Sequence, residues 1–296
     1  MFTREEIERI EIARKCRDCN YFSKVRNAGK IFKENGIEYQ FMHNGIKVFK
    51  DCYVGEWVTE LISQMRGIHE PQEEKVFYEV LKSVPENGVM LELGSYWAYY
   101  SMWFNKEIKN AKNYLIEPIE DGLEKGRKNF VLNNMNGDFN QGFIGSEFAE
   151  NVEFINWDGT KININCFSID HFVNDKEIPF INLLHSDIQG AEYNMLQGCK
   201  ESIKNNKIGY IFISTHSNDV HQKCINFLKE YNFKIIAEHN LDESFSTDGL
   251  IAAYSPAVKG IAPVKISKRK RTFFQKNFKS IINLFNNIKY SIKYAK

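Results

Sequence analysis

Between residues 71 and 257 short apolar runs alternate with segments of helical spacing, and no other feature restricts the possible folds as much. Val89-Met90-Leu91-Glu92-Leu93 stops at Gly94, Tyr114-Leu115-Ile116-Glu117 stops at Pro118, and the shorter Phe143-Ile144 stops at Gly145. Ile181 to His185, Ile208 to Ile213, Phe233 to Ala237 and Leu250 to Tyr254 complete the set. A strand without polar alternation must be covered on both faces, which is the condition of a parallel sheet sandwiched between helices. The intervening stretches, such as Ala191 to Ile203 and Val220 to Tyr231, carry the helical period. The alternation predicts a doubly wound, mostly parallel α/β sheet. Ligands of such sheets bind beyond the carboxyl ends of the strands. The polar residues expected there, Glu92, Gly94, Glu117, Asp187 and His216, are therefore the functional candidates.

Two flanks differ in composition from this region. Residues 1–70 mix charged helical stretches with short segments such as Ile46-Lys47-Val48-Phe49, and read as an N-terminal extension that caps the sheet edge. Residues 258–296 form a basic tail: from Lys259 onward there are 11 Lys/Arg and no Asp/Glu, so the near-zero net charge of +1 conceals a body with 28 basic against 38 acidic residues. An acidic body argues against a nucleic-acid-binding core. In the tail Phe274, Phe278, Ile281, Phe285, Ile288 and Ile292 recur at steps of four and three, which predicts a basic amphipathic helix. Such a helix suits an anionic membrane surface, the acidic body or a second subunit. No window approaches the ~18 apolar residues of a membrane span, and the charged N-terminus does not resemble a secretory leader. Six scattered cysteines, with Cys16 and Cys19 as the one Cys-x-x-Cys, read as ordinary reduced thiols. The expected address is cytoplasmic, with at most a peripheral place at the membrane surface.

The first strand end limits the ligand. A dinucleotide fingerprint would need glycine at position 96 so that backbone can touch a pyrophosphate. Tyr96 stands there, and its side chain obstructs that approach. An acid-x-Gly-x-x-x-small turn suits a nucleoside without a diphosphate, of which S-adenosylmethionine is the commonest cofactor. Glu117 lies 23 residues past Gly94, close to the ~20 expected of an acid that binds ribose hydroxyls. Glu92 is placed to meet the cationic methionine end.

Glu92-Leu93-Gly94-Ser95-Tyr96-Trp97-Ala98-Tyr99-Tyr100-Ser101, Ile116-Glu117-Pro118, Phe167-Ser168-Ile169-Asp170 and, above all, Asp187-Ile188-Gln189-Gly190-Ala191-Glu192-Tyr193-Asn194-Met195-Leu196-Gln197-Gly198 resemble the FkbM family of S-adenosylmethionine-dependent methyltransferases. The resemblance runs in order from about Glu73 to Ser255. It implies a Rossmann-like class I methyltransferase fold with seven strands, and O-methylation of a hydroxyl on a sugar or secondary metabolite. It also implies cofactor contacts from Glu92, Gly94, Ser95, Tyr96, Glu117, Pro118, Gly145, Asp187 and Gln189. Ala98 departs from the family's second glycine and is small enough for helix–strand packing. Gln189 replaces a common glutamate and removes a negative charge beside Asp187.

Methyl transfer from a sulfonium needs alignment more than activation, but an alcohol acceptor also needs a base within hydrogen-bond reach. Asp187 and His216, at the ends of neighbouring strands ~5 Å apart, are the expected pair, and histidine has the pKa for the task. For Asp187 the plain structural alternative is a helix N-cap, for His216 a loop contact, and for Glu192 a partner of the helix dipole. His185 is expected to pack. No ligand spacing predicts a metal. The expected acceptor is a glycan or another hydroxyl compound, with a nicotinamide-dependent oxidoreductase and a non-catalytic glycan- or membrane-binding relative as the rival readings.

Overall fold

The computed structural model describes residues 2–156 and 158–270. The amphipathic helix expected between Phe274 and Ile292 lies outside the described residues. In chain order the elements are α1 (Arg4–Ala13), β1 (Ile31–Glu34), β2 (Ile37–Phe41), β3 (Lys47–Phe49), α2 (Glu56–Gln64), α3 (Pro71–Leu81), β4 (Val89–Leu93), α4 (Tyr99–Glu107), β5 (Lys112–Glu117) and α5 (Glu120–Leu132). Then come β6 (Asp138–Gln141), β7 (Phe143–Ile144), β8 (Ala149–Ile155), β9 (Lys161–Phe167), α6 (Ile169–Asp175), β10 (Ile181–Ser186), α7 (Glu192–Gln197), α8 (Lys200–Lys204), β11 (Ile208–Thr215), α9 (Asn218–Glu230), β12 (Lys234–His239) and β13 (Gly249–Tyr254).

Seven strands form one sheet in the order β12-β13-β11-β10-β4-β5-β6. Its pairs are parallel except those of β13, which runs antiparallel to both β11 and β12. This is the doubly wound arrangement expected from the apolar runs, with the seven strands that the family resemblance implies. All eight residues of β11 are buried, and each large apolar side chain so covered contributes about 1.5–3 kcal/mol. Strand alternation divides the core into two layers. Leu91, Leu93, Ile116, Ile211 and Ile213 pack with Leu196 and Leu228 on one face. Met90, Leu183 and Phe212 pack with Phe77 and Trp103 on the other. This second layer also takes in Phe22, Met42, Ile46 and Val48 from the N-terminal region.

One strand assignment changes. Phe143–Ile144 is not the third strand of the parallel half. That place belongs to β6, and β7 instead pairs with β9 in a separate sheet of order β7-β9-β8. The β6 sequence Asp-Phe-Asn-Gln is polar because it is an edge strand, half-buried over most of its length. The helix expected from Ala191 to Ile203 is broken into α7 and α8 at Gly198–Cys199.

The N-terminal region holds α1, the antiparallel sheet β1-β2-β3 and α2. Helix α1 begins in a capping box, Thr3 accepting from Glu6 N at 3.2 Å and Glu6 from Thr3 N at 2.6 Å. Cys16 and Cys19 sit in turns beyond that helix, buried and free, as are the other four cysteines. Past β13 the chain returns toward this region, Val264 N donating to Ile236 O and Ser267 N to Asp18 Oδ2. Among the described residues no helix is long and apolar enough to cross a membrane.

Candidate active site

The turn after β4 is set by contact with the next strand. Gly94 has φ +70°, and a Cβ there would lie 1.8 Å from the Asp187 carbonyl oxygen. Only glycine permits that approach. Asp187 N donates to Leu93 O at 2.9 Å, which ties the ends of β4 and β10 together. The turn continues through Tyr96 (φ +40°) and Ala98 (φ +62°), both left-handed. The departure at Ala98 therefore costs backbone energy, about 1–2 kcal/mol, where the sequence suggested only a question of space.

Four of the expected cofactor residues, Glu92, Ser95, Tyr96 and Glu117, lie at or beside this turn. Glu117, at the end of β5, accepts Tyr96 N at 3.1 Å and Ile119 N at 3.0 Å. Burial, reinforced by the nearby Asp187 and Glu92 carboxylates against those two donors, raises its carboxyl to about 7. Glu92 accepts Ser101 N at 3.1 Å, and burial raises it to about 7 as well. The Tyr96 ring lies over the start of α5, where a Cβ on Gly122 would meet its Cδ2 at 2.7 Å, and its hydroxyl accepts Lys125 Nζ at 3.2 Å. The Ser95 hydroxyl is buried in this turn without a protein partner. Pro118 follows Glu117, and its carbonyl accepts Gln141 Nε2 at 3.2 Å, while Gly142 N donates to Glu117 O. Gly145 is packed against β9. A Cβ there would meet Cys166 Sγ at 2.5 Å, and its own carbonyl crowds Gly198. Its glycine is demanded by packing between β9 and the α7–α8 junction, and the residues that join the β6 end to Glu117 are Gln141 and Gly142.

Asp187 and His216 meet as expected, but not as two bases. His216 Nδ1 hydrogen-bonds Glu192 Oε1 at 2.6 Å, while Nε2 stands 3.2 Å from Asp187 Oδ1 and 3.5 Å from Asp248 Oδ1. Burial opposes the charge, yet the Asp187 and Glu192 carboxylates outweigh it and hold the imidazole up at about 10. His216 is thus an imidazolium near neutral pH and has no lone pair for a substrate proton. Its Nε2 is buried without a well-aligned acceptor. Asp187 is no N-cap, since α7 starts five residues later behind Ala191. Gln189 Nε2 donates to its Oδ1 at 3.0 Å. Glu192 is fully buried and accepts Gly190 N at 2.8 Å besides His216, a closer role than that of a dipole partner.

Asp248 completes the cluster. Burial and the Asp187 charge raise its carboxyl to about 7, against the pull of His216. Asp248 lies outside the strand carboxyl ends where the sequence places the functional candidates. Strand β13 is antiparallel, so its amino end, one residue after Asp248, lies at this edge. The N-terminal region supplies the remaining wall: a cavity of roughly 330 Å³ is bounded by Tyr53, Trp57, His69 and Glu70 on one side and by Asp187, Gln189 and Phe245 to Asp248 on the other. Tyr53 stacks on Trp97 with ring centroids 4.6 Å apart. His185, in register with Glu92 on the neighbouring strand, is buried and bound to Glu73 Oε1 at 2.7 Å.

These groups fit the expected cofactor. Glu92, Glu117 and Asp187 give the crevice negative charge, which suits a ligand with ammonium and sulfonium groups and opposes a pyrophosphate. Glu117 retains lone pairs for hydroxyl donors, and the orphaned Ser95 hydroxyl lacks only a partner. Among the described residues no group of three His, Cys, Asp or Glu is arranged to hold a metal ion.

Comparison with known proteins accords with this geometry. The model of the methyltransferase FkbM domain matches residues 84–235. Similar solved structures include a precorrin-6y C5,15-methyltransferase from Geobacter metallireducens (13% identity over 64% of this chain and 91% of that one, TM-score 0.43). Others are M. capricolum TrmK in complex with S-adenosyl-homocysteine (17%, 74% and 84%, TM-score 0.38) and a putative rRNA-methylase from Clostridium thermocellum (9%, 62% and 94%, TM-score 0.44). No curated protein matches. With more than half of its length matched, the chain belongs to the FkbM-domain methyltransferases and is an S-adenosylmethionine-dependent enzyme, which sets the oxidoreductase reading aside.

Proposed function

We propose that the chain transfers the cofactor's methyl group to a hydroxyl of a sugar or glycan. The observation that carries this reading is the pair of carboxylates, Asp187 and Asp248, which share the His216 imidazolium and line a cavity with Tyr53, Trp57 and Phe245. Aromatic faces stack on the apolar faces of sugars, and carboxylates bind their hydroxyls.

Bound S-adenosylmethionine supplies a methyl carbon already activated on a sulfonium sulfur. Glu117 would accept the ribose hydroxyls, with Glu92 and Ser95 facing the methionine end. Asp248 would accept the acceptor hydroxyl's hydrogen bond and take up its proton when the methyl group is transferred to that oxygen. A carboxyl at about 7 is matched to general-base work near neutral pH. His216 keeps its own proton throughout. Its charge pairs with the Asp187 carboxylate at 3.2 Å, and Glu192 fixes the ring. His216 is accordingly a positioning residue. The six free, buried cysteines favour a reducing, cytoplasmic address.

The test is transfer of isotopically labelled methyl from S-adenosylmethionine to fractionated cell extract, with mass spectrometry of the product. A methyl ether on a glycan, lost in Asp248→Asn while cofactor still binds, is the expected result. Label on a nitrogen, on nucleic acid or on protein would overturn the acceptor assignment.

A further inference from the structure

The N-terminal region carries a second charged feature, made of residues that do not line the crevice. Residues 14–33 contain seven Lys/Arg against a single acid, Asp18. Asp18 is buried and already engaged by Lys75 and Ser267. Arg14, Lys15, Arg17, Arg26, Lys30 and Arg66 are exposed, and no ion pair ties any of them to a described residue. They line three adjoining surface hollows, the first two sharing Arg17 and the first and third sharing Arg66. The result is one continuous basic strip, with Glu11 the only acid along it.

At the far end of the strip stands the β1–β2 hairpin. Tyr21, Val25, Ile31, Phe32 and Ile37 are five of the nine large apolar side chains exposed among the described residues, and all fall within residues 21–37. Every residue of β1 is exposed. The hairpin's own acids are engaged, Glu34 by the Tyr39 hydroxyl and Glu38 by Lys50. The other chain end arrives at the same face. Ser267 N and Oγ donate to Asp18 at 2.7 and 2.9 Å, next to Arg17. Lys268-Arg269-Lys270 follows directly, and residues 271–296 add six Lys/Arg and no acid.

We infer that this face docks on an anionic lipid bilayer, the basic strip meeting phosphate and carboxylate headgroups and the hairpin's Ile31, Phe32 and Ile37 entering the headgroup–acyl boundary. Clustered cations bordering exposed apolar side chains are what an interfacial protein presents. A nucleic-acid backbone would satisfy the cations but leave aliphatic side chains in water. The inference is independent of the acceptor assignment, since none of these residues lines the crevice.

The test uses the full chain in sedimentation with vesicles of phosphatidylcholine alone and of equimolar phosphatidylcholine and phosphatidylserine. Binding to the anionic vesicles only, weakening as salt rises, is expected. The combined variant Arg17→Gln, Arg26→Gln, Lys30→Gln should lower partitioning on the order of 100-fold. The separate pair Phe32→Ser, Ile37→Ser should weaken it while leaving S-adenosylhomocysteine binding intact. Equal binding to neutral vesicles would overturn the inference. So would undiminished binding of the triple variant, which would assign docking to the chain's last residues alone. Tighter binding of an RNA hairpin, lost in the same triple variant, would reassign the strip to nucleic acid.

Discussion

Glu117→Gln separates a ribose-binding carboxylate from a merely structural one, because the two differ in their pH behaviour. In the free protein this carboxyl sits at about 7 against an ordinary 4.5. Only the ionised form can accept hydrogen bonds from both ribose hydroxyls while keeping those from Tyr96 N and Ile119 N. At about pH 6 roughly one molecule in eleven is ionised, and at about pH 8 roughly ten in eleven, so S-adenosylhomocysteine affinity should rise about tenfold from the lower pH to the higher. Binding near neutral pH must also release about half a proton, which calorimetry reads by repeating the titration in buffers of different ionisation enthalpy. The demethylated product keeps the ribose and lacks the sulfonium, so its affinity carries less of the Glu92 contribution than that of the methyl donor. The linkage has a second consequence for the ligand-free protein. A carboxyl raised on folding contributes stability below its unfolded value of 4.5, and that stability is lost as pH rises through about 7. Thermal stabilisation by the ligand should therefore grow across that window. In Glu117→Gln affinity should drop and most of the pH slope should vanish. A parent Kd unchanged between the two pH values, or an equal slope in the variant, would refute the reasoning.

Further expectations follow from single residues. Gly94→Ala sets a Cβ 1.8 Å from the Asp187 carbonyl in a left-handed backbone, and should lower stability by at least about 2 kcal/mol in urea unfolding. Asp248→Asn removes the proposed base. Turnover should fall on the order of 100-fold and its rise through about pH 7 should disappear, with cofactor affinity unchanged by calorimetry. Glu192→Gln takes one of three carboxylates from His216, so the imidazole should titrate well below its value of about 10, as read by nuclear magnetic resonance of labelled histidine, and turnover should fall without loss of cofactor. Trp57→Ala, on the acceptor wall, should raise the acceptor KM with little change in kcat.

What the sequence made legible, and what it hid, follow from strand direction and burial. Strands β4, β5, β10 and β11 announce themselves because each must be apolar on both faces, and Glu92, Glu117, Asp187 and His216 stand out as the polar residues that end those runs. β6 escapes the same logic: an edge strand buries little, so Asp138–Gln141 need not be apolar, and the nearby Phe143–Ile144 looks the better strand although its apolar side chains serve another sheet. Asp248 escapes for a different reason. It precedes its strand, and the rule that function lies after strands holds only for parallel ones; β13 reverses the rule because it runs the other way. The role of His216 was beyond any local pattern. Its place at a strand end was readable, but whether it is a base or a fixed cation depends on how many carboxylates reach its two nitrogens. They come from three separate stretches of chain, at Asp187, Glu192 and Asp248. Sequence position gives a titratable group its address, while its charge state is decided by neighbours that only the fold assembles. In the proposed mechanism the acid–base roles are therefore the inverse of the simplest expectation, with His216 holding its proton and Asp248, lifted to about 7, receiving one.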